Sequence, residues 1–220
     1  MRLLLFLLLA PVLNAQVYVF GGGFPSHDSL VAEAFKLGYT SVRPWTGTVQ
    51  IGPLSIPQAR AAGKTLYIKS YAGFLTHIVD ADAALISGML TVMPTGSNTA
   101  SRIWNSNAIL PSIVITGAGD TANATAWDVE FHAPDPFGGA ASSYANGFIA
   151  GQLMAIRDSL GCSWWEARFR ARASGHAWTQ KNGYGKILPA VAIGYSGGIP
   201  PDPYRDGSPV YPEWFIRSGP

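Results

Sequence analysis

Cysteine is all but missing from this chain. Cys162 stands alone, so no intramolecular disulfide can form and no thiolate cluster can hold a metal. Inside Gly161-Cys162-Ser163-Trp164-Trp165 it reads as a small buried residue. Charge is scarce as well: Asp, Glu, Lys and Arg make up 13% of the residues, against roughly 25% in an average soluble protein. The formal net charge is +2, and no basic stripe interleaves with aromatics, which leaves no footing for nucleic acid. His27, His77, His132 and His176 are scattered without His-x-x-x-His or carboxylate spacing, which argues against zinc. Gly21-Gly22-Gly23 lacks the third glycine of a dinucleotide fingerprint, and no acidic loop offers the oxygen ligands of calcium. No cofactor is expected. The one long apolar run is Met1 to Ala15 (MRLLLFLLLAPVLNA), too short to span a bilayer and suited to a secretory signal peptide cleaved after Ala15. The expected location is therefore secreted or periplasmic, with no membrane attachment after cleavage.

What is present is apolar. Hydrophobic residues reach 48%, enough for one domain with a sizeable core. We read residues 1–15 as the signal peptide, 16–195 as that domain, and 196–220 as a Pro/Gly-rich tail opening with Ser196-Gly197-Gly198-Ile199-Pro200-Pro201. Within the domain, short β-rich runs alternate with helical ones. Strands are expected at Val17–Phe20, Tyr39–Arg43, Thr65–Lys69, Met89–Met93 and Ile113–Thr116. Helices are expected at Ser29–Leu37 (ending at Gly38), Pro57–Ala62, Ile78–Ser87, Tyr144–Leu160 and Ser163–Ala173. Strands joined through single helices imply an α/β fold: three layers, a mostly parallel sheet with helices on both faces. Ligands of such folds gather at the carboxyl ends of the strands.

Three chemistry-bearing residues fall at those ends. Ser143 opens an apolar helix after the turn Phe137-Gly138-Gly139-Ala140. A serine there is either a helix N-cap or a nucleophile whose oxyanion the helix amides could stabilise. His27 follows the first strand at the mouth of a helix, and Asn98 follows the Met89–Met93 strand. A base, a nucleophile and an oxyanion donor are the set that acyl transfer requires.

These stretches resemble the subtilisin-like serine proteases. Ala141-Ser142-Ser143-Tyr144-Ala145-Asn146-Gly147-Phe148-Ile149-Ala150-Gly151 is similar to that family's Gly-Thr-Ser-x-Ala-x-Pro-x-Val-Ala-Gly motif, with Ser143 on the nucleophile. His27-Asp28-Ser29-Leu30-Val31-Ala32 resembles its His-Gly-Thr-x-Val-Ala motif. Leu66 to Gly73 looks like the strand beside the substrate, and Gly88 to Asn98 like the strand leading to the oxyanion asparagine. Ser112–Asp120, Val129–Pro134 and Asn182–Ile187 match further pieces in the family's order, so the resemblance spans residues 17–195. It implies His27 as general base, Ser143 as nucleophile, Asn98 (or Ser97 beside it) as oxyanion donor, and Ser70, Tyr71, Ala72 and Gly73 as the substrate-binding segment. Many relatives carry structural calcium, which this sequence does not indicate.

One departure is central. The family's aspartate ends the first strand, and here Gly21 stands in its place. Asp28 adjoins His27 but falls on the motif's glycine, and neighbouring helix residues do not face one another, so it reads as a poor substitute. Asp80, Asp82 and Asp120 are the other carboxylates to consider. The expectation is a secreted subtilisin-like serine endopeptidase acting on peptide or protein substrates through a seryl acyl-enzyme. The alternative is a catalytically impaired peptide-binding or structural module that has lost the acid.

Overall fold

Apolar runs of four to six residues set the frame. β1 (Gln16–Phe20), β3 (Leu66–Lys69), β4 (Leu90–Pro94) and β5 (Ile113–Ala118) are rich in β-branched and aromatic side chains. Every residue of β3 and β4 is buried, as befits strands covered on both faces. The computed structural model describes residues 16–21, 24–71, 78–94, 113–118, 129–177 and 183–199. Among these, β2 (Thr48–Gly52) and β6 (Phe131–Ala133) complete a six-stranded sheet in the order β2-β1-β3-β4-β5-β6, with every pair parallel.

Parallel strands need crossovers, and helices supply them. They are α1 (Pro25–Thr40), α2 (Ile56–Ala61), α3 (Ile78–Ile86), α4 (Ser142–Leu160), α5 (Trp164–Ser174) and α6 (Pro189–Gly194). Successive strand residues point to opposite faces. Val17, Val19, Leu66, Ile68, Leu90 and Val92 share the larger core with residues of α1, α4 and α5. Tyr18, Tyr67 and Met93 meet Ile56 and Ala59 of α2 and Ala81 and Ala84 of α3 on the other side. The fold is the three-layer α/β arrangement that the alternating pattern implied.

Register levels the carboxyl ends. Phe20 pairs with Lys69 and Pro94 with Thr116. Gly21 and Ser70 therefore leave the sheet side by side, the Ser70 N–H bonding the Phe20 carbonyl at 3.2 Å.

The expected strand at Tyr39–Arg43 does not form. α1 continues through Gly38 to Thr40, and Tyr39 is buried with its hydroxyl donating to Asp158 at 2.9 Å. Burial, and that carboxylate with it, push the Tyr39 phenol up to about 12. The sheet's end strand is instead Thr48–Gly52, half exposed and free of charge. Gly38 reads as a helix stop, but its role is contact: a Cβ there would overlap the Phe148 carbonyl oxygen of α4.

Local chemistry ends the long helices. Gly161 adopts φ +61° after α4, a left-handed conformation that costs glycine nothing, and its N–H bonds the Arg157 carbonyl. Ser163 caps α5 by accepting from the Glu166 N–H at 3.1 Å. Glu130, buried just before β6, accepts from Arg168 Nε at 2.6 Å and from Arg172 Nε at 2.7 Å. Burial alone would raise its carboxyl pKa, but the two guanidinium groups outweigh that and hold it below the ordinary glutamate range. This buried cluster ties α5 to the sheet.

Candidate active site

Two helices with almost no side chain between them bring the site together. A Cβ on Gly147 would lie 2.5 Å from the Val31 carbonyl oxygen, and one on Gly151 would overlap the Phe35 carbonyl oxygen. With Gly38 against Phe148, these positions put the α1 and α4 backbones in direct contact. The ladder advances by one turn on both helices, from Gly147 and Val31 to Gly151 and Phe35. One turn earlier it arrives at Ser143 and His27. There His27 Nε2 lies 2.9 Å from Ser143 Oγ, across 116 residues of sequence.

The serine is not a cap. Ala141 is the N-cap residue of α4, no side chain bonds there, and Ser143 sits inside the first turn with its hydroxyl on the imidazole. The first intrahelical bonds run from the Tyr144 and Ala145 N–H groups to the Ala141 carbonyl. The amides of Ser142 and Ser143 thus lie at the positive end of the helix dipole, beside the hydroxyl. Asp135 shapes the preceding turn by accepting from the Phe137 N–H at 2.9 Å and the Ala141 N–H at 3.1 Å. Gly138 turns the chain there at φ +81°.

Asn146 is a further positioning residue, which the sequence motifs did not flag. Its side chain is wholly buried one turn along α4. It donates to the Lys69 carbonyl at 2.9 Å and accepts from Thr116 Oγ1 at 2.8 Å. The mouth of α4 is thereby pinned to the carboxyl ends of β3 and β5. The signal available was an asparagine on an otherwise small, apolar helix face between Ala145 and Gly147.

Asp28 departs most from expectation. It is 3% exposed, and its Oδ1 accepts from Ser70 Oγ at 2.7 Å and lies 3.6 Å from His27 Nδ1. Neighbouring helix residues are expected to turn their side chains away from each other. They do diverge along the helix, His27 toward α4 and Asp28 toward the ends of β1 and β3, but the short aspartate comes back level with the inner ring nitrogen. A Cβ on Gly21 would overlap Asp28 Oδ2, so the carboxylate fills the space beside Gly21.

The remaining expected residues fall as follows. Ser70 is fully buried, and its hydroxyl donates to Asp28 at 2.7 Å. Tyr71 is exposed and stands 5.9 Å, ring to ring, from Phe20. Asn98, Ser97, Ala72, Gly73 and Asp120 lie outside the described residues. Asp80 and Asp82 belong to α3, whose Ala81 and Ala84 pack on the sheet face opposite α1. Tyr144 leans on the His27 ring at 5.3 Å and takes the edge of Phe137 at 5.3 Å. Lys69, at the end of β3, has its ammonium pKa lowered by burial.

No protein-family model matches the chain, and no curated protein matches it. Solved structures do. The protease domain of PatA, solved as a serine-to-alanine mutant, matches with a TM-score of 0.63 at 15% identity, over 82% of this chain and 94% of that one. The fold is subtilisin-like. Fervidolysin from Fervidobacterium pennivorans, a keratinolytic enzyme related to subtilisin, matches at a TM-score of 0.55 and 15% identity over 70% of this chain. This chain spans 33% of fervidolysin's length. MycP1 from Mycobacterium smegmatis matches at 0.54 and 15% identity, over 66% of this chain and 54% of that one. In open α/β sheets ligands bind outside the carboxyl ends of the strands, and here His27, Ser143, Asp28, Ser70 and Asn146 gather there.

Proposed function

We propose that this protein is a secreted serine endopeptidase that cleaves peptide bonds through a Ser143 acyl-enzyme. The observation that carries the reading is the 2.9 Å contact between His27 Nε2 and Ser143 Oγ at the mouth of α4. In the proposed reaction His27 takes the hydroxyl proton as Ser143 Oγ attacks the scissile carbonyl carbon. The charge that develops on the carbonyl oxygen faces the first amides of α4, with Asn98 as the side-chain donor. His27 then hands the proton to the leaving amine, and water, activated by the same imidazole, releases the acyl group. The substrate is an extended peptide that pairs with the backbone from Tyr71 to Gly73. The chemistry requires no cofactor.

A second reading, a peptide-binding module without turnover, draws support from Gly21 at the strand end. One experiment separates the two. The chain from Gln16 is treated with a fluorophosphonate probe beside Ser143→Ala and His27→Ala. Labelling that both substitutions abolish supports the peptidase. A folded wild type that does not label overturns it in favour of the module.

A further inference from the structure

We propose that Asp28 is the positioning carboxylate of this site, supplied from the first turns of α1 instead of the end of β1, and that position 21 is glycine because Asp28 occupies its space. The inference rests on the serine peptidase reading above and adds to it the residue that orients the base.

Three independent contacts converge on Asp28. Its Oδ1 faces His27 Nδ1 at 3.6 Å, and this is the ring nitrogen opposite the one that meets Ser143. Its Oδ2 lies where the first side-chain atom of any residue other than glycine at position 21 would fall. Ser70 at the end of β3 locks the carboxylate with a 2.7 Å hydrogen bond. A buried carboxylate is costly unless hydrogen-bonded and paired. Among the described residues, Ser70 and His27 are the polar side chains at its oxygens. The contact with Nδ1 is longer than a formed hydrogen bond, and catalytic hydrogen bonds commonly shorten only when substrate closes the site. Held at Nδ1, the neutral ring keeps its proton there and leaves Nε2 free to accept from Ser143.

Position 21 and position 28 are therefore two doors to one space. An aspartate at 21 with a glycine at 28 puts a carboxylate into it from the strand; glycine at 21 with aspartate at 28 puts one in from the helix. Both together would crowd two carboxylates into it, and neither would leave it empty.

The test uses the chain from Gln16 with Asp28→Asn, Gly21→Asp and the exchange Gly21→Asp/Asp28→Gly. Two readouts are taken: the rate of fluorophosphonate labelling, and the tautomer of neutral His27 from ¹⁵N–¹H NMR, assigned with His27→Ala. Asp28→Asn is expected to slow labelling by about 10³- to 10⁴-fold, as when a base loses its orienting acid, and to deplete the Nδ1–H tautomer. Gly21→Asp alone is expected to be impaired. The exchange is expected to label at least about tenfold faster than Asp28→Asn, and to restore the tautomer. If Asp28→Asn does not fold, the exchange decides, because it keeps charge and volume together. A wild type that labels, with an Asp28→Asn variant that matches it in rate and tautomer, overturns the role of Asp28 and leaves the peptidase reading standing. A wild type that does not label overturns the peptidase reading, and the tautomer measurement then decides Asp28 alone. A folded exchange variant with neither labelling nor the Nδ1–H tautomer also overturns the proposal.

Discussion

Alanine at position 147 is a small change with a large expected consequence. Its Cβ would lie 2.5 Å from the Val31 carbonyl oxygen and 3.2 Å from both the Phe35 nitrogen and the Ala34 Cβ. Ordinary contact begins at 3.4 Å, so α1 and α4 must part by about 1 Å, because interiors are packed too densely to absorb the atom otherwise. Two of the three neighbours are backbone, so no side chain can swing aside. Overpacking of this kind costs about 1–3 kcal/mol, and alanine's better helix propensity returns about 1 kcal/mol. The net loss of about 0–2 kcal/mol corresponds to a Tm lower by up to about 8 °C for a chain of this size. Activity should suffer more. Ser143 and His27 lie one turn from the wedge, and a misplacement of about 1 Å at reacting groups costs about 10²-fold. Calorimetry and the fluorophosphonate labelling rate would be measured together. Gly194→Ala serves as the control, since a Cβ there meets nothing within 4 Å. An alanine variant with wild-type Tm and a labelling rate within about threefold of wild type would refute the idea that backbone contact sets the pair.

Asn146→Leu keeps the volume but leaves the Thr116 hydroxyl and the Lys69 carbonyl without their buried partner. Urea denaturation should show a loss of about 2–4 kcal/mol. Glu130→Gln strips the counter-charge from Arg168 and Arg172 and should cost about 3–5 kcal/mol. The sign with pH follows from the lowered folded pKa of Glu130. Its contribution is present above the unfolded value, about 4.3, and is lost as pH falls through the folded one. Acid titration of stability should therefore fall more steeply in the wild type than in Glu130→Gln over that range, and equal slopes would exclude the cluster as its source.

The frame was legible because parallel strands buried on both faces leave mostly apolar runs such as Leu66–Ile68 and Leu90–Met93. His27 and Ser143 were legible as members of two motifs that begin helices. Tyr39–Arg43 misled because Gly38 was read as a terminator, when its missing side chain serves a contact with a helix more than a hundred residues away. β2 was missed because an edge strand with one polar face and only five residues carries little apolar signal. Asp28 was discounted on a rule about which helix residues face each other. The fact that decided its placement, an empty position at Gly21 on another element, belongs to tertiary structure. Asn146 likewise has meaning only once the Lys69 carbonyl and Thr116 lie beneath it.

The end strand β2 has a consequence of its own for the behaviour of the molecule in solution. Thr48-Val49-Gln50-Ile51-Gly52 carries no charge and no proline, and Ile51 is 39% exposed. Edges of this kind invite a further strand from another chain. The strand carries no lysine, and among the described residues its five-residue length and the proline at position 53 are what limit it. Self-association at high concentration is therefore expected to start at this end of the sheet, away from His27 and Ser143.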